Sequence, residues 1–227
     1  MKKIACLFDW DGTIVDSGRT HEFTWIELAR SRNLKLIDNF FEITFGKRNV
    51  EIISDILCWT NNPEEIQAMS DQKEALYREI VAEKGLPVIA GAEAFLRELN
   101  NSGIFCAVGS STPTANLIAA FNTLDFGKYF QAFSASEDVV QGKPKPDIFL
   151  SAAEKLGVAP ENCVVFEDVR AGIQAGVAAG MKTVAVATTH TPQQWREFSK
   201  NPEERVDLIV ENFNQISIAD IKNLLNG

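Results

Sequence analysis

The chain has few of the residues from which disulfide frameworks, metal–thiolate sites and membrane spans are built. It contains only four cysteines in 227 residues, and they are far apart with no Cys-x-x-Cys pair. We therefore expect small buried thiols in a reducing compartment, and neither disulfides nor zinc ligands. No apolar run approaches the roughly 20 residues of a membrane helix, and Ile4–Phe8 is too short for a signal peptide. These patterns predict a cytoplasmic protein without membrane contact.

Positive charge is also scarce. The 22 lysines and arginines stand against 31 acidic residues, which gives a formal net charge of −9. The average field repels a polyanion, so we do not expect nucleic acid as a partner. A small phosphorylated metabolite remains compatible with this field if a local cation offsets it. The hydrophobic fraction of 45% suffices for one sizeable core with or without a small second domain, in a monomer or a small homo-oligomer.

Short apolar runs alternate with helical segments along most of the chain. The runs predict strands at Ile4–Phe8, Ile104–Val108, Phe130–Ala135, Cys163–Phe166, Thr183–Val186 and Leu208–Val210. Helices are predicted between and after these strands, at Ala92–Asn101, Ala115–Thr123, Pro146–Leu156, Arg170–Ala179 and Ile216–Leu225. Repeated helix–strand units with short connections indicate an α/β fold, in which a parallel sheet is covered on both faces.

The pattern changes between the first strand and the rest of the sheet. Three helices are predicted there, at Thr20–Arg32, Asn49–Trp59 and Pro63–Lys84, with no convincing strand between them. We therefore expect residues 17–85 to form an inserted all-helical domain, with residues 1–16 and 86–227 forming the core. Such an insertion could cover the functional edge of the sheet.

Polar side chains follow four of the predicted strands. In chain order they are Asp9 and Asp11, Ser110 and Ser111, Lys143 in the loop after the third strand, and Glu167 and Asp168. Ligands of open α/β sheets bind beyond the carboxyl ends of the strands. We therefore expect four acids, a pair of hydroxyls and a lysine to converge at one edge.

The predicted acidic cluster needs a cation. Two carboxylates ~4 Å apart repel each other by roughly 4 kcal/mol at an effective dielectric constant near 20. A cluster of Asp9, Asp11 and Asp168, with Glu167 nearby, is therefore hard to hold together without added positive charge. Because all these ligands are oxygens, Mg²⁺ is the expected ion. Lys143 would add a second positive charge for a phosphate group.

The spacing of Asp9 and Asp11 suggests two roles in phosphoryl transfer. In an extended chain, residues two apart point in the same direction, so both carboxylates could face one substrate. One can attack phosphorus, and the other can protonate the leaving oxygen and then activate water. The second role requires a proton on Asp11 part of the time, and we expect neighbouring negative charge to raise its pKa.

Four sequence blocks resemble the motifs of the haloacid dehalogenase superfamily, in particular its β-phosphoglucomutase-like phosphatase branch. They are Phe8–Thr13, Val108–Ser111, Lys143–Asp147 and Val165–Asp168. The resemblance implies a Rossmann-like core with a helical cap inserted after the first motif. It also implies Asp9 as nucleophile and Mg²⁺ ligand, and Asp11 as acid and base with its carbonyl on the metal. The remaining implied roles belong to the phosphate-binding Ser110, Ser111 and Lys143, and to Asp168 and Glu167 on the metal, the latter through water.

Candidates for substrate contact in the cap are less specific. His21 and Trp25 match a His-x-x-x-Trp pattern of the mutase-like branch; Trp25 also suits a helical core. Lys47 and Arg48 follow Gly46 in a segment that resembles the substrate loop of the cap, and Lys73 is a further candidate. The mutase carries its phosphate-binding arginine three residues after the glycine, where this chain has Asn49. A solvated loop is the alternative for Lys47 and Arg48.

Several functions remain open from the sequence. The first is a phosphatase that hydrolyses a small phosphate monoester, such as a sugar phosphate. The second is a β-phosphoglucomutase, which needs a second phosphate pocket. Two further hypotheses are not enzymatic: a receiver domain that stores phosphate on aspartate, and an inactive phosphate-binding relative. Acids at the first strand disfavour the receiver, and the intact set of motif residues disfavours the inactive relative.

Overall fold

The computed structural model describes residues 3–44 and 46–226. The two ends of the predicted core (Met1, Lys2 and Gly227) and one residue of the predicted cap (Phe45) lie outside the described residues. The described residues form a six-stranded sheet in the order β3-β2-β1-β4-β5-β6, and all its pairs are parallel. Its strands are β1 Ala5–Phe8, β2 Phe105–Gly109, β3 Ala132–Ser134, β4 Cys163–Glu167, β5 Lys182–Val186 and β6 Leu208–Val210. The predicted α/β fold with a Rossmann-like parallel sheet is confirmed.

Helices separate the strands, and the last helix follows β6. In the described ranges they are α1 Gly18–Ser31, α2 Phe40–Thr44, α3 Asn49–Glu51, α4 Pro63–Lys84, α5 Ala92–Asn101, α6 Thr114–Leu124, α7 Asp147–Leu156, α8 Arg170–Ala178, α9 Pro192–Phe198 and α10 Ile218–Asn226. A π-helical turn, Ile52–Ile56, continues α3. None of the helices in these ranges is both long and apolar enough to cross a membrane.

The register of the central strands places their ends side by side. Strand β1 lies between β2 and β4, and its last residue, Phe8, is paired with Val108 and Phe166. The residues that follow these three positions therefore begin at one level of the same sheet edge. All four residues of β1 are completely buried, as expected for a central strand covered on both faces.

Apolar side chains fill both faces of the sheet. On one face the rings of Phe8 and Phe166 stack with centroids 4.6 Å apart, and Phe95 and Phe213 pack beside them. On the other face Leu7 and Val165 lie in a second cluster with Phe149 of α7. Burial of each such side chain contributes about 1.5–3 kcal/mol, so the strand ends rest on a rigid base.

The helical segment between β1 and α5 has its own apolar cluster. Trp25 of α1 and Met69 of α4 lie in it, together with Ile53 of the π-helical turn. Here the predicted helix Asn49–Trp59 is wrong only in its last three residues, because the π turn ends at Ile56 and Cys58 adopts a left-handed φ of 50°. The predicted start of α4 agrees with the structure.

Candidate active site

The carboxyl edge of the sheet faces a cleft of about 680 Å³. Its floor includes residues that follow β1 and β2, and its roof includes residues of α1 and α4. Eight of the predicted site residues line the cleft: Asp9, Asp11, His21, Lys47, Arg48, Ser110, Ser111 and Lys143. The structure thus brings the predicted site residues of the core and those of the helical segment together around one cavity.

Lys143 joins two buried carboxylates. Its Nζ lies 2.5 Å from Asp9 Oδ1 and 2.5 Å from Glu167 Oε1, and its side chain is 3% exposed. The Asp9 backbone N–H donates to Phe166 O at 2.9 Å, which continues the pairing of β1 with β4 and fixes the Asp9 backbone. Burial opposes the charge on Lys143, but Asp9 and Glu167 outweigh it and raise the pKa of this lysine.

Glu167 lies across the start of α8. Its Oε2 accepts hydrogen bonds from the backbone N–H groups of Asp168 (3.0 Å) and Val169 (3.1 Å). Gly172 makes room for this side chain, since a Cβ at that position would overlap the Glu167 carboxylate. The glutamate therefore has two roles in the structure: it binds the backbone N–H groups just before α8, and it holds Lys143 against Asp9.

Asp168 has no exposed surface and receives one hydroxyl on each carboxylate oxygen. Thr13 Oγ1 donates to Oδ1 at 3.1 Å, and Thr189 Oγ1 donates to Oδ2. Gly12 passes directly over the carboxylate with φ +88°, and any Cβ there would overlap it. The glycine of the first motif is therefore required by the close approach of the chain to Asp168.

Three of the acids can share a cation. Asp9, Glu167 and Asp168 each offer an oxygen, and the three oxygens lie within 4.8 Å of one another. Burial raises the pKa of Asp9 well above its usual value, although Lys143 opposes the effect. Burial, together with the Glu167 charge, also raises the pKa of Asp168 to about 8. One ammonium does not balance three buried carboxylates, so this all-oxygen set suits a divalent cation that prefers oxygen ligands.

Asp11 differs from two expectations, one for the position of its carboxylate and one for its pKa. Its carboxylate does not join the acidic cluster but accepts hydrogen bonds from Ser17 Oγ (2.5 Å), His21 Nε2 (3.2 Å) and Thr112 Oγ1. Burial alone would raise the pKa of Asp11, but the interaction with His21 and these hydrogen bonds lower it to about 2. The expected raised pKa is therefore wrong for this arrangement. The reason is that β1 ends at Phe8 and the chain turns at Gly12, so the extended spacing no longer applies.

His21 lies between Asp11 and α4. Its Nδ1 is 2.8 Å from Lys73 Nζ, which can only donate, so the proton of the ring is on Nε2 and faces Asp11. The ring also stacks on Tyr77 with centroids 4.3 Å apart. His21 lines the cleft as expected, but both of its nitrogens are bound to protein groups. Trp25 lies in the apolar cluster of the helical segment.

The serines after β2 form the floor of the cleft. Ser110 is 1% exposed, and its hydroxyl accepts a hydrogen bond from Thr112 N at 3.1 Å. Its own backbone N–H donates to Ser134 O at 3.0 Å, so β3 fixes the position of this loop. Ser111 lines the cleft beside it.

The loop residues of the helical segment contact protein groups on both sides of the cleft. Arg48 Nη1 donates to Val140 O at 3.0 Å, which connects this loop to the loop that carries Lys143. Asn49 Nδ2 donates to Glu74 Oε1 at 2.7 Å. Lys47 is exposed and lines the cleft.

A buried polar contact joins α4 to α6. Asn116 of α6 is 1% exposed; its Nδ2 donates to Glu74 Oε2 at 2.5 Å, and its Oδ1 accepts from Arg78 Nη1 at 2.9 Å. Glu74 also accepts from Lys73 Nζ at 2.9 Å. The helical segment is therefore fixed to the core at the same place where Lys73 reaches His21.

The sequence did not predict several residues whose side chains bind to the predicted site residues. Thr112 directly follows the second motif, Val108–Ser111, and Ser17 begins the inserted segment, so both lie next to residues that the sequence singles out. Thr189 follows β5, a strand end without a sequence motif. Glu74 and Asn116 lie inside helices, where no sequence signal distinguishes them from solvated polar residues.

Comparison with known proteins gives a family and a fold. The family model of haloacid dehalogenase-like hydrolases matches residues 5–180. Hexitol phosphatase A of Escherichia coli (strain K12) is 32% identical over 96% of this chain and 94% of its own length. The chloroplastic 5-amino-6-(5-phospho-D-ribitylamino)uracil phosphatase of Arabidopsis thaliana is 30% identical over 97% of this chain, which spans 57% of that protein. The crystal structure of β-phosphoglucomutase from Clostridium difficile matches with a TM-score of 0.82 and 25% identity, over 99% of this chain and 97% of that one.

Proposed function

Because this chain belongs to the haloacid dehalogenase-like hydrolase family, we propose that it is a Mg²⁺-dependent phosphatase of small phosphate monoesters that forms an aspartyl-phosphate on Asp9. The observation that carries this proposal is the Asp9 carboxylate at the floor of the cleft. It lies in contact with Lys143 and shares a cation-sized site with Glu167 and Asp168. An anionic phosphate can approach a carboxylate only where positive charge of this kind offsets the repulsion.

The first step transfers the phosphoryl group to the protein. An oxygen of Asp9 attacks phosphorus, the bond from phosphorus to the ester oxygen breaks, and Asp11 donates the proton that this oxygen needs. Lys143 and the hydroxyl of Ser110 bind the phosphate oxygens. Bound at Asp9, Asp168 and Glu167, with the Asp11 carbonyl, Mg²⁺ would neutralise part of the charge on phosphate and nucleophile.

The second step returns the free enzyme. Water attacks the aspartyl-phosphate, its proton passes to Asp11, and Asp9 is restored as inorganic phosphate leaves. Asp11 is ionised in the arrangement described here, with a pKa of about 2. Its role as an acid therefore requires the bound anion to raise this pKa, because nearby negative charge favours the protonated carboxyl. His21 Nε2–H faces Asp11, and this proton can pass to Asp11 only if Lys73 Nζ transfers a proton to Nδ1 in the same step.

β-Phosphoglucomutase is the second candidate, and the likeness to the Clostridium difficile enzyme supports it. Contacts at the far side of the cleft favour hydrolysis. Arg48 binds Val140 O, and Asn49 binds Glu74. The carboxylate of Glu137, which lines the cleft, accepts from the backbone N–H of Thr114 at 3.1 Å, at the start of α6. A second phosphate at this helix end would meet negative charge, so we favour a monophosphate substrate.

The substrate class that we propose is a phosphorylated polyhydroxy compound. The names of the two relatives denote a hexitol phosphate and a ribityl phosphate. Beyond the acidic cluster, amides and hydroxyls line the cleft, including Asn49, Gln67 and Ser70. Such groups can exchange hydrogen bonds with substrate hydroxyls.

The test is a phosphate-release screen over hexitol phosphates, hexose phosphates, pentitol phosphates, nucleotides and short phosphorylated acids. We expect the highest kcat/KM for a polyol or sugar monophosphate, with one phosphate released per substrate consumed. Formation of glucose 6-phosphate from β-glucose 1-phosphate with little free phosphate would instead establish the mutase. Absence of turnover across the whole panel would contradict both.

A further inference from the structure

We infer that Thr189, in the loop that follows β5, is a positioning residue for the metal ligand Asp168. This inference rests on the proposed function, because it assigns a role in holding the divalent cation. It adds a fifth strand end to the four that carry the sequence motifs. Thr189 touches neither substrate nor cation in this assignment; it acts through the carboxylate of Asp168.

The contact is made at a carboxylate that has no exposed surface. Thr13 Oγ1 donates to Asp168 Oδ1 at 3.1 Å from one side, and Thr189 Oγ1 donates to Oδ2 from the other. One hydroxyl on each oxygen fixes the rotation of the carboxylate plane. Each oxygen keeps further acceptor capacity, which remains available toward the site shared with Asp9 and Glu167.

The loop is anchored on both sides of Thr189. Ala187 N–H donates to Val210 O at 2.8 Å, and Thr188 Oγ1 donates to Gly12 O at 2.5 Å. On the other side the ring of His190 packs edge-on against Trp195, with centroids 5.3 Å apart. These contacts fix the backbone on both sides of Thr189 and so fix the position of its hydroxyl. The same loop binds both Gly12, through Thr188, and Asp168, through Thr189.

Thr189 itself is exposed, while Asp168 beneath it is completely buried. The side chain thus lies at the protein surface with its hydroxyl directed inward. A change from threonine to valine at this position keeps the branched shape and removes the hydrogen bond. Its effect on the fold is expected to be small, since no apolar core depends on this side chain.

The test measures metal binding directly. Isothermal titration of the full chain with Mg²⁺, without substrate, compares wild type with Thr189→Val and with Thr189→Ser, which retains the hydroxyl. Groups that orient metal ligands through hydrogen bonds typically change metal affinity about 10- to 100-fold when they are removed. We expect Thr189→Val to raise the Kd for Mg²⁺ about tenfold, and Thr189→Ser to stay within about twofold of wild type.

Thr123→Val is the matched control, because Thr123 is also exposed and its hydroxyl donates to a backbone carbonyl far from the site, Ala119 O. We expect no change in its Kd. Circular dichroism and thermal melting establish that each variant is folded; Thr189→Ala replaces Thr189→Val if the latter is not. An unchanged Kd in a folded variant without the hydroxyl overturns this inference alone. Failure of wild type to bind Mg²⁺ overturns the proposed metal dependence as well.

Discussion

Lys143 contacts two buried carboxylates directly, those of Asp9 and Glu167. The Nζ–O distances are 2.5 Å, and the side chains of the three residues are at most 9% exposed. The desolvation of these groups is offset only while each charge keeps its partner. At the scale of single residues, we therefore expect substitutions that remove one charge to act on stability and on catalysis in different ways.

Asp9→Asn removes the nucleophile that we propose and keeps the shape of the side chain. We expect phosphate release to fall by at least about 10³-fold, because the amide cannot form the acyl phosphate. The melting temperature should remain near that of wild type, since the substitution also removes one of three crowded negative charges. Asp16→Asn, at an exposed aspartate nearby, is the control. Normal turnover in Asp9→Asn would contradict the nucleophile assignment.

Lys143→Met should lower the stability more than Asp9→Asn does, since it leaves two buried carboxylates without the lysine ammonium. We expect the free energy of unfolding in EDTA to fall by about 3 kcal/mol, because removal of one partner of a buried ion pair leaves uncompensated charge. Urea unfolding measures the effect, with Lys145→Met at an exposed lysine as the comparison. Equal midpoints for the two variants would mean that Lys143 does not neutralise Asp9 and Glu167.

At the scale of helices and strands, local sequence decides the ends of some elements and not of others. Helix α4 begins where Asn62 accepts from the N–H groups of Glu64 (2.9 Å) and Glu65 (3.3 Å) just before Pro63. This start could be predicted because the cap and the proline act within one turn. The end of the preceding helix could not, since the π turn and the φ of Cys58 depend on packing against α1 and α4.

Asn62→Ala tests the contribution of this cap. We expect the free energy of unfolding to decrease by about 1 kcal/mol, as is typical for loss of an N-cap side chain. Chemical unfolding with tryptophan fluorescence reports on both parts of the chain, because Trp25 and Trp59 lie in the cluster of the helical segment and Trp10 and Trp195 lie in clusters of the core. Its exposed neighbour provides the control variant Asn61→Ala. A change below the error of the measurement in Asn62→Ala would show that packing alone fixes the start of α4.

A buried glutamate ties α8 to the turn before β6. Arg170 donates to both oxygens of Glu204, at 2.9 and 2.7 Å, and these hydrogen bonds lower the pKa of Glu204. A glutamate titrates near 4.3 in an unfolded chain. The stabilisation is therefore complete above about pH 4.3 and is lost as the pH falls through the lower native pKa.

Glu204→Gln should follow this pH dependence. At pH 7 we expect the variant to be less stable than wild type by about 1.5–3 kcal/mol, the range for hydrogen bonds to charged groups. The difference should shrink as the pH is lowered from 5 to 3, when the wild-type carboxylate becomes protonated. Urea unfolding across this range gives the measurement, and Glu161→Gln at an exposed position is the control. A difference in the free energy of unfolding between wild type and Glu204→Gln that is constant with pH would exclude a contribution from the charge of Glu204.

At the scale of the whole molecule, we propose a division into a core and an inserted helical cap at residues 17–85. The two connections between these parts run side by side: Asp16 N–H donates to Pro87 O at 2.8 Å, and Ile89 N–H donates to Ile14 O at 2.9 Å. The separate apolar cluster of the helical segment supports the same division. The cleft lies between the two parts, so substrate and cation would bind where they meet.

Cation binding should stabilise the entire fold, because its ligands come from the ends of two strands that are far apart in sequence. At a Mg²⁺ concentration of 100 times the Kd, mass action raises the free energy of unfolding by about 2.7 kcal/mol. EDTA should remove this increment together with turnover, and Mg²⁺ should restore both. Thermal melting in matched buffers measures the increment, and Asp168→Asn should lack it. Equal stability with Mg²⁺ and with EDTA would contradict the proposed site.

The sequence predicts which residues lie at the functional edge of the sheet better than it predicts how their side chains are oriented. Asp9, Ser110 and Asp168 could be assigned because each comes at the end of a short buried strand, and Lys143 because it lies in the loop after β3; parallel strands end at one edge. The orientation of Asp11 depends on the turn at Gly12 and on His21 from another helix. The partner of Arg48 depends on the docked position of the whole helical segment. Neither is encoded in a local pattern, so both required the three-dimensional structure.

Two adjacent residues of α4 contact different parts of the site. Lys73 reaches His21, which faces Asp11, while Glu74 binds Asn116 on the floor side of the cleft. If α1 and α4 move together away from α6, the Lys73–His21 contact is kept, while the Glu74–Asn116 and His21–Asp11 contacts are broken in one movement. Access to the cleft and the proton affinity of Asp11 would change in the same event. Opening of this side of the cleft would therefore also raise the pKa of Asp11, the residue that we propose as acid and base, because His21 lowers it in the closed arrangement.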